Sequence, residues 1–394
     1  MDSIVFISYL SLLMWVYLVF FHGRKFLSVE PFFWSNKIIF EKQYFDRNYL
    51  TQHKKICVII PARNEEKTIC KTLISIKEQN VKNLEIIVVN DNSNDKTAYN
   101  IRRLKTKIKN LYLLNGKKLP NGWVGKTWAL KQGVDIANKK KFDYYNFIDS
   151  DIILSKNILK KVVNFAESKN LIMLSLMAKL NCESQWEKIL IPPFIFFFQK
   201  LYPFNLAIKK NSNISAAAGG FIFCKASIFR EDNLYKKIKN KIIDDCNIAK
   251  LAKERGLIWI GLTNRVYSNR KYKKLSEIWK MVSRSAFEQL QNSILYLILS
   301  ILGLGITYLF PLILFLYNLG LMNYSELQYH ILLPNLISLI IMLSIYLPTC
   351  KFYKISGFYS IILPISATLF SLMTLNSAFN HIIFRGNIWK GRKY

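Results

Sequence analysis

Histidine is almost missing from this chain, four in 394 residues, and none stands at the spacing of a zinc ligand pair. The six cysteines, Cys57, Cys70, Cys182, Cys224, Cys246 and Cys350, include no Cys-x-x-Cys. A structural zinc site is therefore not expected, and the cysteines read as small buried residues of a reducing compartment. Acidic residues are scarce: 25 Asp and Glu face 56 Lys and Arg, a formal charge of +31. Such a balance suits nucleic acid, anionic lipid or a phosphorylated substrate, or simply a lysine-rich solvated surface. The lysines are spread along the chain and form no compact arm, and basic and aromatic residues do not interleave into a platform, so no nucleic acid is expected.

A phosphate-binding P-loop is missing too, although one stretch invites it. Residues 119–130, LPNGWVGKTWAL, contain Gly125-Lys126-Thr127. A P-loop needs a glycine five residues earlier so that backbone N–H groups wrap the phosphates. Pro120, which has no N–H, stands there.

Charge is absent from four long runs, residues 3–21, 294–317, 331–348 and 355–379. A bilayer crossing takes ~20 apolar residues. The first run has neither a basic start nor an Ala-x-Ala site and reads as an anchor. Lys and Arg follow it, fill 24–291 and recur at Lys351 and Lys354, but avoid 318–330. The positive-inside rule then puts the large middle region in the cytosol and 318–330 outside. Four crossings would leave the basic tail outside, against that rule. Either the tail violates it or one of the last three runs is re-entrant, and a cytosolic tail is preferred. The expected organisation is an anchor at 1–23, a basic juxtamembrane linker at 24–50, a soluble domain at 51–291, a membrane block at 292–384 and a basic tail at 385–394. The expected location is the cytoplasmic membrane, multi-pass, with contact to an anionic membrane surface.

Within 51–291 the short apolar runs 56–60, 84–89, 111–114 and 144–148 alternate with helical spacing, as at Ile69, Leu73 and Ile76. That alternation predicts a mostly parallel α/β sheet, with its ligand site beyond the carboxyl ends of the strands. The first strand ends in Pro61-Ala62-Arg63-Asn64-Glu65, the second in Asn90-Asp91-Asn92-Ser93 and the fourth in Asp149-Ser150-Asp151. Carboxylates gathered there suit a hard cation, Mg2+ or Mn2+, shared with phosphates. Taken singly, the two aspartates could be turn formers. Asp244-Asp245 could likewise be no more than a helix N-cap.

Together, VIIPARNE (58–65), VVNDNSNDKT (88–97), Asp149-Ser150-Asp151 and Ile243-Asp244-Asp245-Cys246 resemble family-2 glycosyltransferases of GT-A fold. The segments GWVGKTWALKQG (122–133), 175–204, AAAGGFIF (216–223), IDDCNIAK (243–250) and EIWKMVSRSAFEQL (277–290) look like the hopene-associated subfamily.

The resemblance implies a nucleotide-sugar donor, with a UDP-sugar favoured. Its base and ribose would lie against Asp91 and Asn90, where many members have two acids, and its entrance would be lined by Pro61, Ala62 and Glu65. Asp151 would hold the metal, and Asp149 the metal or the donor's ribose and sugar. Asp245, with Asp244 second, would be the general base, its ionised form favoured by the helix that it opens. Lys126 would reach the diphosphate from a helix N-terminus. The processive motif Q-x-x-R-W is absent, which implies transfer of one sugar, with inversion. Arg284, or Arg270, would replace its arginine on the leaving group. Residues 189–208, apolar but carrying Pro192, Pro193 and Pro203, read as an interfacial stretch beside a membrane-lipid acceptor. A core helix with a proline break is the alternative there. For the whole chain, the competing reading is a membrane-tethered basic nucleic-acid-binding or scaffold protein without catalysis.

Overall fold

The computed structural model describes residues 2–22, 38–42, 53–230, 234–320, 326–383 and 388–393. Most of the stretch read as a linker, 24–50, and part of the tail lie outside the described residues.

The chain opens with α1 (Asp2–Phe20), then enters β1 (Ile56–Ala62), α2 (Ile69–Lys77), β2 (Leu84–Asn90), α3 (Thr97–Lys105), β3 (Leu111–Asn115), α4 (Gly125–Ala137) and β4 (Tyr144–Ile148). It continues through β5 (Ile152–Leu154), α5 (Ile158–Ser168), β6 (Leu171–Lys179), α6 (Gln185–Leu201), α7 (Phe204–Ile208), β7 (Phe221–Lys225), α8 (Leu234–Lys237), α9 (Asp244–Lys253) and β8 (Leu257–Ser268). Last come α10 (Leu275–Ser283), α11 (Ala286–Gln289), α12 (Ile294–Leu304), α13 (Phe310–Leu319), α14 (Glu326–Tyr353), α15 (Leu363–Ile383) and the hairpin β9 (Ile388–Trp389) and β10 (Arg392–Lys393).

Two compact units result. One comprises 36–181 and 204–270, the other 1–35, 182–203 and 271–394.

The first unit is built on an eight-stranded sheet, ordered β3-β2-β1-β4-β7-β6-β8-β5. The half read from sequence, β3-β2-β1-β4, is parallel throughout. The other half is mixed, because β7 runs antiparallel between β4 and β6 and β5 runs antiparallel along β8. Helices cover both faces, so β1 is apolar on both sides. Ile56, Val58 and Ile60 join one buried cluster with α2, α3 and α5, while Cys57 and Ile59 join another with α4 and α9. Gly133 lets α4 settle on this sheet: a Cβ there would lie 2.5 Å from the Ile59 Cγ2 atom. Residues 38–42, placed in the linker by sequence, belong to this unit. Ile39 bridges to Leu262, and buried Phe40 packs against Phe165 and Trp259.

The second unit is helical. Three helical runs are long and apolar enough to cross a membrane: Ser3–Phe20, Ile294–Leu319 and Glu326–Tyr353. The fourth expected span, 355–379, begins with a short 3-10 turn at Gly357–Ser360, and α15 starts only at Leu363. Ser366, Thr368, Ser371, Thr374, Asn376 and Ser377 dilute its apolarity.

In the same unit α6 starts from a capping box. The Ser184 hydroxyl accepts from the Glu187 N–H, and the Glu187 carboxylate takes the Ser184 N–H. The helix continues through Pro192 and Pro193 and packs against α14 and α15, with Phe196 edge-on to Tyr346 and Phe197 edge-on to Phe370.

Candidate functional site

The carboxyl ends of β1, β2 and β4 lie side by side, since Ala62 pairs with Asn90 and β1 runs between β2 and β4. Beyond β1 and β2 the chain turns through Asn64 and Asn92, both with left-handed backbone (φ 52° and 51°), a conformation that asparagine tolerates better than most residues. The two loops are stitched together. Asp91 N–H donates to the Ala62 carbonyl at 2.8 Å, and the Arg63 guanidinium donates to the Asp91 carbonyl at 2.7 Å and the Asn92 carbonyl at 3.1 Å. Asn64 N–H reaches the Ser93 hydroxyl, and Glu65 N–H the Thr97 hydroxyl. Asn90, Asp91 and Glu65 are all buried. Gly116 completes this edge: a Cβ there would press to 3.0 Å of the Asn90 carbonyl oxygen, which its own N–H takes as acceptor.

Past β4, Asp149 and Asp151 diverge. Asp149 Oδ1 lies 3.0 Å from the Lys126 ammonium, which also stands 3.5 Å from Asp244 Oδ1. Lys126 rides on the first turn of α4, as its sequence predicted. Asp244 and Asp245 form the first turn of α9 and join Lys126 at Gly219. Gly219 N–H donates to Asp245 Oδ2 at 2.7 Å, and an added Cβ on Gly219 would lie 3.1 Å from both Asp245 Oδ2 and Lys126 Nζ. Pro61, Lys126, Asp149, Gly219 and Asp244 line one crevice.

Burial alone would lower the Lys126 ammonium. The charges of Asp149, Asp244 and Asp245 outweigh it and hold that group above the usual lysine range. Asp245 is pushed up to about 6, first by burial and then by the charge of Asp244. The Lys126 charge and the N–H groups of Cys246 and Gly219 pull it back only in part. The expectation of a helix-favoured ionised form therefore needs correcting, because desolvation outweighs the helix dipole. Simple N-capping fits no better. The N-cap position is Ile243, with no side-chain cap bond, and Asp245 sits inside the helix.

Asp151 belongs to a second cluster. Its Oδ2 accepts from the Arg270 Nε at 2.8 Å and the Ser268 hydroxyl at 3.0 Å. The other end of the same guanidinium reaches Glu65 Oε1 at 2.6 Å, and the second Glu65 oxygen accepts from the Thr68 hydroxyl at 2.6 Å. Arg270 thus ties the end of β8 to the loops after β1 and β4. Arg284 lies in the helical unit, just past α10.

A divalent cation can be tested against these residues. Asp149 and Asp151 are hard oxygen donors, and each engages one oxygen. Asp149 Oδ2 and Asp151 Oδ1 have no hydrogen-bond or ion-pair partner among the described residues. Oxygen donors of this kind suit Mg2+ or Mn2+, although among the described residues no group of three or more His, Cys, Asp or Glu side chains is gathered to hold a metal ion.

Sequence reasoning missed Ser175, Gly219 and Ser268. Ser175 fixes the turn that presents Gly219: its hydroxyl receives the Ala218 N–H at 2.8 Å and donates to the carbonyls of Ala218 and Phe221. The paired glycines of AAAGGFIF were the available signal.

Residues 57–232 match the family model described as glycosyl transferase family 2. That span includes Pro61, Ala62, Glu65, Asn90, Asp91, Lys126, Asp149 and Asp151, and stops before Asp244. The match to family-2 glycosyltransferases thus covers somewhat less than half of the chain. It is similar to the 4,4'-diaponeurosporenoate glycosyltransferase of Staphylococcus haemolyticus (strain JCSC1435), 38% identical over 121 residues, which is 28% of this chain and 30% of that protein. The protein of the same name from Staphylococcus aureus (strain USA300) is 36% identical over 113 residues, 28% of each chain. The matched stretch thus spans less than a third of these curated relatives. Among solved structures, the mannosyltransferase PcManGT from Pyrobaculum calidifontis, in complex with GDP-Man and Mn2+, aligns with a TM-score of 0.46 and 14% identity, covering 93% of this chain and 98% of that one.

Proposed function

We propose that this protein moves one sugar from a nucleotide-sugar, with UDP-sugars favoured, to an acceptor borne by a membrane lipid. The observation that carries the reading is the meeting of Lys126, Asp149, Asp244 and Asp245 at Gly219. It joins a cation for a leaving diphosphate to a carboxylate whose pKa, about 6, suits a general base near neutrality.

In this reading Pro61, Ala62, Glu65, Asn90 and Asp91 receive the nucleoside, Asn90 supplying an amide where many relatives carry a carboxylate. Asp245, backed by Asp244, takes the proton of the acceptor hydroxyl. That oxygen bonds to the anomeric carbon from the face opposite the diphosphate, the carbon–oxygen bond to the diphosphate breaks, and the electron pair leaves with it, inverting the centre. Lys126 exchanges part of its pairing with Asp149 and Asp244 for the phosphate oxygens, and its position on the first turn of α4 adds helix N–H groups on the same side. Asp151 and Asp149 would hold Mg2+ or Mn2+, which when bound offsets the charge of the diphosphate. Arg270 acts on the donor side through Asp151 and Glu65. Arg284 is kept as a second cation for the leaving group.

The acceptor class rests on the three helical runs able to span a membrane and on relatives named for 4,4'-diaponeurosporenoate. The closer resemblance to the hopene-associated subfamily belongs to the same reading. So do a multi-pass position in the cytoplasmic membrane, with the first unit in the cytosol, and contact with its anionic surface.

The test is metal-dependent binding of UDP-sugars by the purified full chain, followed by calorimetry. Binding that needs Mg2+ or Mn2+ and is lost in Asp151→Ala supports the reading. No binding of any nucleotide-sugar, with Asp151→Ala indistinguishable from wild type, overturns it. Salt-sensitive binding of an oligonucleotide would favour the nucleic-acid alternative instead.

A further inference from the structure

A second polar cluster lies inside the helical unit, where apolar packing dominates. Lys200, in the last turn of α6, has no acidic partner among the described residues, and its ammonium stands 4.9 Å over the ring of Tyr308. Burial alone pushes this ammonium down, to about 8, with no carboxylate to oppose it. Tyr308 is completely buried, yet its hydroxyl has no hydrogen-bond partner among the described residues. A phenol enclosed in this way normally finds one.

The backbone around Tyr308 is unusual as well. Gly305–Leu309 forms a π-helical turn between α12 and α13. Such turns insert a residue into a helix, and they recur at functional sites. The turn is built in, since Trp15 Nε1 donates to the Thr307 carbonyl at 2.8 Å and the Trp15 ring meets Tyr308 edge-on. On the other side, His22 is tied to the Lys200 carbonyl at 2.7 Å, and Phe197 meets Tyr308 edge-on. An ammonium with no acidic partner among the described residues thus lies over the ring whose hydroxyl has no hydrogen-bond partner among them, and Trp15 and Phe197 meet the same ring. Two of the contributing helical runs are long and apolar enough to cross a membrane.

We propose that Lys200 and Tyr308 seat the anionic group of a membrane-borne amphiphile, a carboxylate or phosphate attached to an apolar chain. The ammonium supplies the counter-charge, Tyr308 donates a hydrogen bond, and the aromatic walls receive the first part of the chain. Within such walls a charge-assisted pair is worth more than the same pair in water. The site stands whether or not the sugar-transfer reading holds, because it uses none of that reading's residues.

The test uses the full chain in phosphatidylcholine nanodiscs, with phosphatidylglycerol, oleate or inorganic phosphate added and the retained lipid read by native mass spectrometry. Phosphatidylglycerol or oleate should be retained over phosphatidylcholine by about tenfold or more. Lys200→Gln should abolish that preference, Lys200→Arg should keep most of it, and Tyr308→Phe should weaken it about threefold. A preference for oleate alone identifies a carboxylate, and one for phosphatidylglycerol alone a phosphate; either supports the proposal. Equal retention in wild type and Lys200→Gln overturns it, as does displacement of both amphiphiles by inorganic phosphate at similar concentration. Should Lys200→Gln fail to fold, an unchanged preference in Tyr308→Phe overturns it. Sugar transfer is measured separately. Its absence with lipid selectivity intact would count against the function proposed above and leave this site standing.

Discussion

Asp149 and Asp151 stand two residues apart, yet they belong to two differently built halves of one site. The Asp149 half gathers three carboxylates around one ammonium, Lys126, so its charge is unbalanced and both Lys126 and Asp245 are held above their ordinary ranges. The Asp151 half places one guanidinium between two carboxylates and satisfies them further with the hydroxyls of Ser268 and Thr68. The first arrangement is poised for proton and charge movement, the second for holding a shape. A D-x-D can thus supply two unlike services from neighbouring positions.

The largest expected break in that comparison is Asp245→Asn. Transfer should fall about 10^2- to 10^4-fold, as for loss of a general base. Folding should survive, because the amide oxygen still accepts the Gly219 N–H. In the wild type the logarithm of the rate should fall with unit slope below about pH 6 and level off above it. The stability sign is the reverse of the usual carboxylate case. The unfolded group loses its proton first, so the contribution of Asp245 falls as pH rises from about 4 towards about 6, and Asp245→Asn should flatten that limb of a denaturation series.

Next is Lys126→Met, expected to cost about a hundredfold in turnover. Its sharper signature is the pH profile. Removing the cation that favours ionised Asp245 should move the acid limb above pH 6, and an unmoved limb would uncouple the two residues.

Changes in the Asp151 half should act on the donor. Arg270→Met should raise the donor KM about tenfold, in line with loss of charged hydrogen bonds, with a smaller change in kcat. A fall in kcat alone would place Arg270 with the first half. Ser268→Ala is the mildest, about 1 kcal/mol or fivefold in donor affinity, because Arg270 still holds the same Asp151 oxygen.

Much of this was legible because it follows short-range rules. The continuous apolar run at 56–60 requires a strand covered on both faces, and the three acid-bearing strand ends follow from parallel topology. What escaped was made by long-range contacts. Ser175, Gly219 and Asp245 meet across 26 to 70 residues of chain, and no local pattern announces a serine that shapes a turn. The ionisation of Asp245 was misjudged because a helix N-terminus can be read from sequence, whereas burial beside Asp244 cannot. The antiparallel half of the sheet escaped because fully buried strands carry no alternation to show their direction. The run at 355–379 looked like a span by its lack of charge, but its hydroxyl and amide residues and late helix start set α15 apart from the other three helical runs.

The π-helical turn also absorbs a length. A residue added to a regular α-helix advances everything after it by about 100° around the axis. The wide turn at 305–309 takes up one such residue, so α13 keeps the face that packs on α14. Losing one residue there should let a continuous α-helix form with α13 near its present register, whereas a deletion within 310–319 would turn the later part of that face away. Length variation among natural homologues within 294–319 should therefore fall at 305–309.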